Sequence, residues 1–171
     1  IADAFLMMET VLKAGVADHI LTGGLVANIL LAAKGEEIGK ASMDYIYKSN
    51  YGEYIEKAKG LYDTYKNHIV LPKDLAYTED GVRKEALTGS VPAEAGITDI
   101  GSSAAEEYQE YIRTSKTVFV NGPMGIFEEA ATELGTKMVW DALGDTQAYT
   151  VIGGGDSITA TTKYGKTDAI S

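Results

Sequence analysis

Four short apolar runs in this chain, "HILTGG", "HIVLP", "KTVFVNGP" and "AYTVIGGG", each stop at glycine or proline, and segments with helical spacing stand between them. A short apolar run bounded by turn residues reads as a strand buried on both faces. Buried strands joined through helices pair in parallel, with the helices covering both sides of the sheet. The alternation therefore predicts an α/β fold, a three-layer αβα sandwich around a mostly parallel, Rossmann-like sheet. A chain of 171 residues with 45% hydrophobic side chains suffices for one such unit, and a single domain over residues 1–171 is expected.

The helical segments carry their own punctuation. Residues 3–14 place Phe5, Met8, Val11 and Leu12 on one face and stop at Gly15, and residues 25–34 form a strongly apolar helix stopped by Gly35. Residues 45–67, rich in Tyr, Lys and Glu, predict a surface helix broken or kinked near residues 50–52. Its tyrosines read as amphipathic packing rather than a stacking platform, since no basic groove accompanies them. The pattern weakens over residues 75–101, where "YTEDG" predicts a hairpin turn and "VPAEAGITDIG" a loop. Residues 102–114 predict a helix capped by Ser102 or Ser103, residues 128–143 another with Phe127 and Trp140 in the core, and residues 156–163 the last.

Ligands of open α/β sheets bind at the carboxyl ends of the strands. Here those ends carry "TGG" with Gly23 and Gly24, "NGPMG" opening with Asn121, and "GGGDS" at residues 153–157. Glycine permits close backbone approach or positive φ, and the free N–H groups of a following helix attract phosphate. Asp156 would repel a bare phosphate, so it fits such a site only with a Mg²⁺ between them, because that ion takes one or two carboxylates plus phosphate oxygens. The plainer reading makes Asp156 or Ser157 an N-cap and the glycines a tight turn. Glu128 could equally complement its own helix N-terminus, and Asn121 could be only a turn residue.

Several function classes are disfavoured. A net charge of −10 argues against a nucleic-acid surface, which needs clustered Lys and Arg. Cysteine is absent, which removes disulfides and thiolate zinc sites, and His19 and His68 are too isolated for a metal cluster; both are expected at strand edges or in solvent. No apolar run reaches spanning length, so no membrane partner and a cytoplasmic location are expected. "YGKT" ends like a Walker loop but lacks the first glycine and follows a helix, and neither "TGGLVA" nor "GGGDSI" has dinucleotide spacing.

Taken in order, "ILTGGLVANILLAAKG", "TDIG", "VFVNGPMGIFE", "GT" and "GGGDS" resemble the C-terminal, nucleotide-binding half of phosphoglycerate kinase, and "TGGLVAN" looks most like archaeal members. The resemblance implies an ATP/ADP site in which Glu128 holds the ribose and Asn121 lies near the phosphates. It implies that Gly154, Gly155, Asp156 and Ser157 meet the phosphate chain and its Mg²⁺, with Asp156 on the metal through the nucleotide. It also implies that Gly23 and Gly24 wall the adenine pocket, with Gly101 near the base. No catalytic side chain is implied beyond transition-state support from Gly154 and Gly155. The family carries a "GGAK" loop before the position of Ile1, often a lysine where Ala4 stands, and a "TGGG" loop beyond Ser171. The 3-phosphoglycerate site belongs to an N-terminal lobe, so the expectation is a piece of a longer, monomeric enzyme that is inactive alone. The alternative is a stand-alone nucleotide or dinucleotide sensor of the same architecture.

Overall fold

The first helix, α1 (Ala2–Ala14), ends where Gly15 takes a left-handed φ of 68° and its N–H turns back to Leu12 and Val11. The computed structural model describes all residues, Ile1–Ser171, and continues with β1 (Ile20–Leu21), α2 (Gly24–Lys34), α3 (Lys40–Lys48), α4 (Glu53–Tyr65) and β2 (Ile69–Val70). Then come β3 (Asp74–Glu79), β4 (Val82–Leu87), β5 (Ile97–Ile100), α5 (Ser102–Thr114) and β6 (Thr117–Val120). The chain closes with α6 (Leu134–Asp145), β7 (Tyr149–Ile152), α7 (Gly155–Lys163) and one 3₁₀ turn, Thr167–Ala169.

Strands β1 and β2 pair in parallel, as do β6 and β7. The period-two pattern of a strand decides how these pairs are covered. Ile20 and Ile69, opposite one another, pack into a cluster built around Phe5, Leu30 and Leu61 of α1, α2 and α4. Leu21 and Val70, one residue on, pack into a second cluster around Tyr108, Trp140 and Leu143 of α5 and α6. The β1–β2 pair is thus a layer between two helical layers, as the α/β reading requires. Strands β6 and β7 give Val118, Val120 and Ile152 to the second cluster, while Phe119 and Tyr149 are exposed.

Two features, an antiparallel sheet and a further strand, depart from the sequence reading. An antiparallel sheet of order β4-β3-β5 joins the parallel pairs; its β3–β4 hairpin turns at Asp80–Gly81, where "YTEDG" predicted a turn, with both residues at positive φ. Residues 97–100, expected as loop, form β5, because Leu75 and Ala76 offer β3 as a template for Ile100 and Asp99. The helix predicted over residues 45–67 is broken where expected, at Asn50 with φ 62°, into α3 and α4, and its first part begins earlier, at Lys40.

Candidate functional site

The "TGG", "NGPMG" and "GGGDS" segments leave β1, β6 and β7 and meet through the middle one. Gly24 donates its N–H to the Met124 carbonyl at 2.9 Å, and a Cβ on Gly23 would stand 2.9 Å from Met124 Cα, so glycine lets these two backbones approach. At the other end of the segment, Asn121 Oδ1 lies 3.9 Å from where a Cβ of Gly154 would sit. Gly154 has φ +91°, a conformation that favours glycine. The middle segment is itself pinned: Met124 N–H donates to Thr136 Oγ1 at 3.0 Å, and Ile126 N–H donates to the Thr98 carbonyl at 2.9 Å. Gly23, Gly24, Asn121 and Gly154 therefore share one floor.

The helix that follows tests whether Asp156 or Ser157 serves as its N-cap. The N-cap of α7 is Gly154, with no side-chain cap bond, so neither Asp156 nor Ser157 is the cap. Helix α2 likewise starts from Gly23 without a side-chain cap. Uncapped first-turn N–H groups and the positive end of the helix dipole are what an anion requires. Gly155 has open space around its Cα, and Asp156 is exposed and joins no ion pair. Ser157 is 1% exposed and its Oγ has no hydrogen-bond partner. No group of three or more His, Cys, Asp and Glu could hold a metal by itself. A lone exposed carboxylate beside an uncapped helix suits Mg²⁺ only when phosphate oxygens complete the ligand set.

The N-terminus of α5 is different. Asp74, from β3, accepts the N–H groups of Ser103 at 3.1 Å and Ala104 at 2.8 Å, so the expected caps Ser102 and Ser103 are not the caps. A cap from another element wins because Asp74 is already fixed by the β3 ladder. Gly101 is buried directly against that carboxylate, leaving no room for a side chain.

Glu128 also differs from expectation. Helix α6 begins at Leu134, and Glu128 lies exposed in an irregular segment before it. The carbonyls there are claimed by side-chain donors, one within the segment and two from elsewhere, which override helix propensity. Thr132 Oγ1 donates to the Ile126 carbonyl at 2.6 Å, Lys163 Nζ donates to that of Phe127, and Arg83 Nη1 reaches that of Ala131 at 3.4 Å. Tyr164 hydroxyl donates to Glu133 at 2.9 Å, tying the same segment to the end of α7. Burial, with the neighbouring Glu133 charge, pushes the Tyr164 phenol well above its usual range. His19 packs 4.8 Å from the Tyr111 ring and His68 Nδ1 sits 3.0 Å from the Asp18 carbonyl, and both are exposed.

The profile of the phosphoglycerate kinase family matches residues 1–171. The chain belongs to the phosphoglycerate kinase family. It is 40% identical over 172 residues to a phosphoglycerate kinase of Thermoplasma volcanium, covering 99% of this chain and 42% of that protein. A phosphoglycerate kinase of Methanobacterium bryantii is 37% identical over 169 residues, covering 99% and 41%. The crystal structure of a phosphoglycerate kinase from Pyrococcus horikoshii superposes with a TM-score of 0.91 at 36% identity, over 99% of this chain and 43% of that one. These relatives are archaeal, as the wording of "TGGLVAN" suggested. The chain spans about 42% of the curated relatives it matches.

The hydrogen-bonding roles of Asp74, Arg83, Asp99 and Lys163 around the glycine segments were not legible in the sequence. Only Asp99 fell inside a quoted motif, "TDIG", and nothing in spacing distinguishes the others from surface charge. No helix of the structure is long and apolar enough to cross a membrane.

Proposed function

We propose that residues 1–171 are the nucleotide-binding lobe of an enzyme that reversibly transfers phosphate between 1,3-bisphosphoglycerate and ADP. The observation that carries this reading is the uncapped N-terminus of α7, with the buried, unpartnered Ser157 hydroxyl in its first turn and Gly154 at φ +91° before it. Those features support a phosphate chain at this helix start, where no side chain of the protein caps the first turn. In this reading Gly154 and Gly155 offer backbone N–H groups to the transferred and bridging phosphates, Asn121 faces them across the floor, and Gly23 and Gly24 wall the base with Gly101 behind. Glu128 accepts hydrogen bonds from the ribose.

Phosphoryl transfer asks little covalent chemistry of protein side chains; it asks for in-line positioning and donors aimed at the equatorial oxygens. Asp156 would hold Mg²⁺ through the nucleotide, and the metal would neutralise charge on the phosphate oxygens. The acid substrate, 3-phosphoglycerate, would be held by a second lobe supplying the cationic clamp, and closure of the lobes would exclude water. A monomeric, cytoplasmic enzyme of glycolysis is the corresponding setting.

Calorimetric titration of the chain with ADP, with and without Mg²⁺, tests the site. Mg-ADP is expected to bind weakly, and Asp156→Ala to remove most of the Mg²⁺ dependence. Equal affinities for the parent and Asp156→Ala in the presence of Mg²⁺ would sink the metal role.

A further inference from the structure

Close to the glycine segments lies a charge network, built on the buried Asp99, that the reading above does not use. Asp99, in β5, is 2% exposed. Its Oδ1 accepts the Ile100 N–H at 2.9 Å, and its Oδ2 accepts the Gly135 N–H at 2.7 Å and Arg83 Nη1 at 2.8 Å. Arg83, in β4, also donates Nη2 to the Ile100 carbonyl at 3.0 Å, Nη1 to the Ala131 carbonyl at 3.4 Å and Nε to Glu85 Oε2 at 3.0 Å. One of these bonds, to Ala131, grips the segment between β6 and α6 on which Glu128 lies, and another, from Gly135, holds the first turn of α6, where that segment ends.

A buried ion pair is weak evidence for stability, because desolvation offsets much of the attraction; what it can supply is a fixed place. The Glu128 segment needs one. It has no regular ladder of its own, so its position is set by whatever binds its backbone. The Glu128 side chain is exposed and takes part in no ion pair or hydrogen bond, so nothing orients it except the course of that backbone. Arg83 is shared between Asp99 and Glu85, so its charge is already matched within the cluster and is not left to draw the Glu128 carboxylate away from the ribose.

We propose that Arg83 and Asp99 are positioning residues for the ribose of the nucleotide: they hold the segment so that the Glu128 carboxylate stands where the sugar hydroxyls can donate to it. This rests on the proposed role of Glu128, and the experiment separates the two.

The chain is titrated with Mg-ADP and with Mg-2′,3′-dideoxy-ADP, which lacks both hydroxyls, in the parent, Glu128→Gln, Arg83→Met and Arg83→Lys proteins. A hydrogen bond to a charged acceptor corresponds to a preference for ADP of about tenfold or more in the parent. Glu128→Gln should lose most of it. Arg83→Met should bring the preference to within about twofold while dideoxy-ADP affinity stays within about threefold, because only the sugar contact depends on the segment. Arg83→Lys, which keeps the charge but not the fork, should fall between. Full preference in Arg83→Met, or an equal loss for both nucleotides, overturns the proposal. Should circular dichroism show Arg83→Met unfolded, the same ratio in Arg83→Lys decides, and an unchanged ratio is equally fatal. Absence of preference in the parent, or its survival in Glu128→Gln, removes the Glu128 role and the positioning role with it, while dideoxy-ADP binding still reports on the phosphate floor.

Discussion

Ser157 is the residue at which the structure and the proposed chemistry meet most sharply. Its hydroxyl is buried without a hydrogen-bond partner, in the first turn of a helix that no side chain caps. An unsatisfied buried polar group costs about 1–3 kcal/mol, and removing it without leaving a large cavity can be neutral or favourable. Ser157→Ala is therefore expected to leave the ligand-free chain unchanged or to stabilise it by up to about 1 kcal/mol, while weakening Mg-ADP binding. Urea unfolding with and without Mg-ADP measures both effects. A clear loss of stability without nucleotide would mean that the hydroxyl has an internal partner. The three glycines before it look alike in sequence and are not alike in the fold. Gly153 donates to the Val120 carbonyl at 2.8 Å, Gly154 alone needs positive φ, and Gly155 opens the helix. Sequence could mark the run as unusual but could not divide its roles, since those depend on β6 lying alongside.

At the scale of elements, α5 illustrates what local reading misses. Two serines at its start fit the capping preference, yet Asp74 performs the capping from β3. Asp74→Ala should destabilise the chain by about 1–2 kcal/mol, the usual cost of a lost cap, whereas Ser103→Ala should be near neutral. Chemical denaturation of the two variants distinguishes them, and a larger cost for Ser103→Ala would reverse the assignment. The parallel pairs, the helices flanked by Gly15 and Gly35, and the Asp80–Gly81 turn were legible because their signals are local: period, stop residue and turn chemistry. Strand β5 and the irregular segment carrying Glu128 were not. Their backbones are organised by partners distant in sequence, β3 for the one and Arg83 and Lys163 for the other, and periodicity carries no trace of such partners.

For the whole molecule, the proposed function makes the decisive quantity what one nucleotide-binding lobe could contribute to a two-substrate reaction. The 171 residues carry a net charge of −10 and span about 42% of the curated relatives they match. Lys and Arg total 15, and those seen in ion pairs, such as Arg83 with Asp99 and Lys163 with Glu133, are already engaged. A phosphorylated carboxylic acid needs several converging cations, and the glycine floor offers none. Holding the second substrate against the nucleotide can contribute about 7–11 kcal/mol through effective molarity, and each oriented donor to the transferred group about 3–4 kcal/mol more. A lobe that positions only the nucleotide forgoes the first contribution whole. The isolated chain, supplied with Mg-ATP and 3-phosphoglycerate in a coupled assay, is thus expected to read at background. Turnover should appear when the chain is joined to a lobe that binds the acid, because nucleotide, metal and acceptor are then held in line. Clear turnover by the 171 residues alone would place an acid-binding site within this lobe and would require a cationic cluster that the ion pairs leave free.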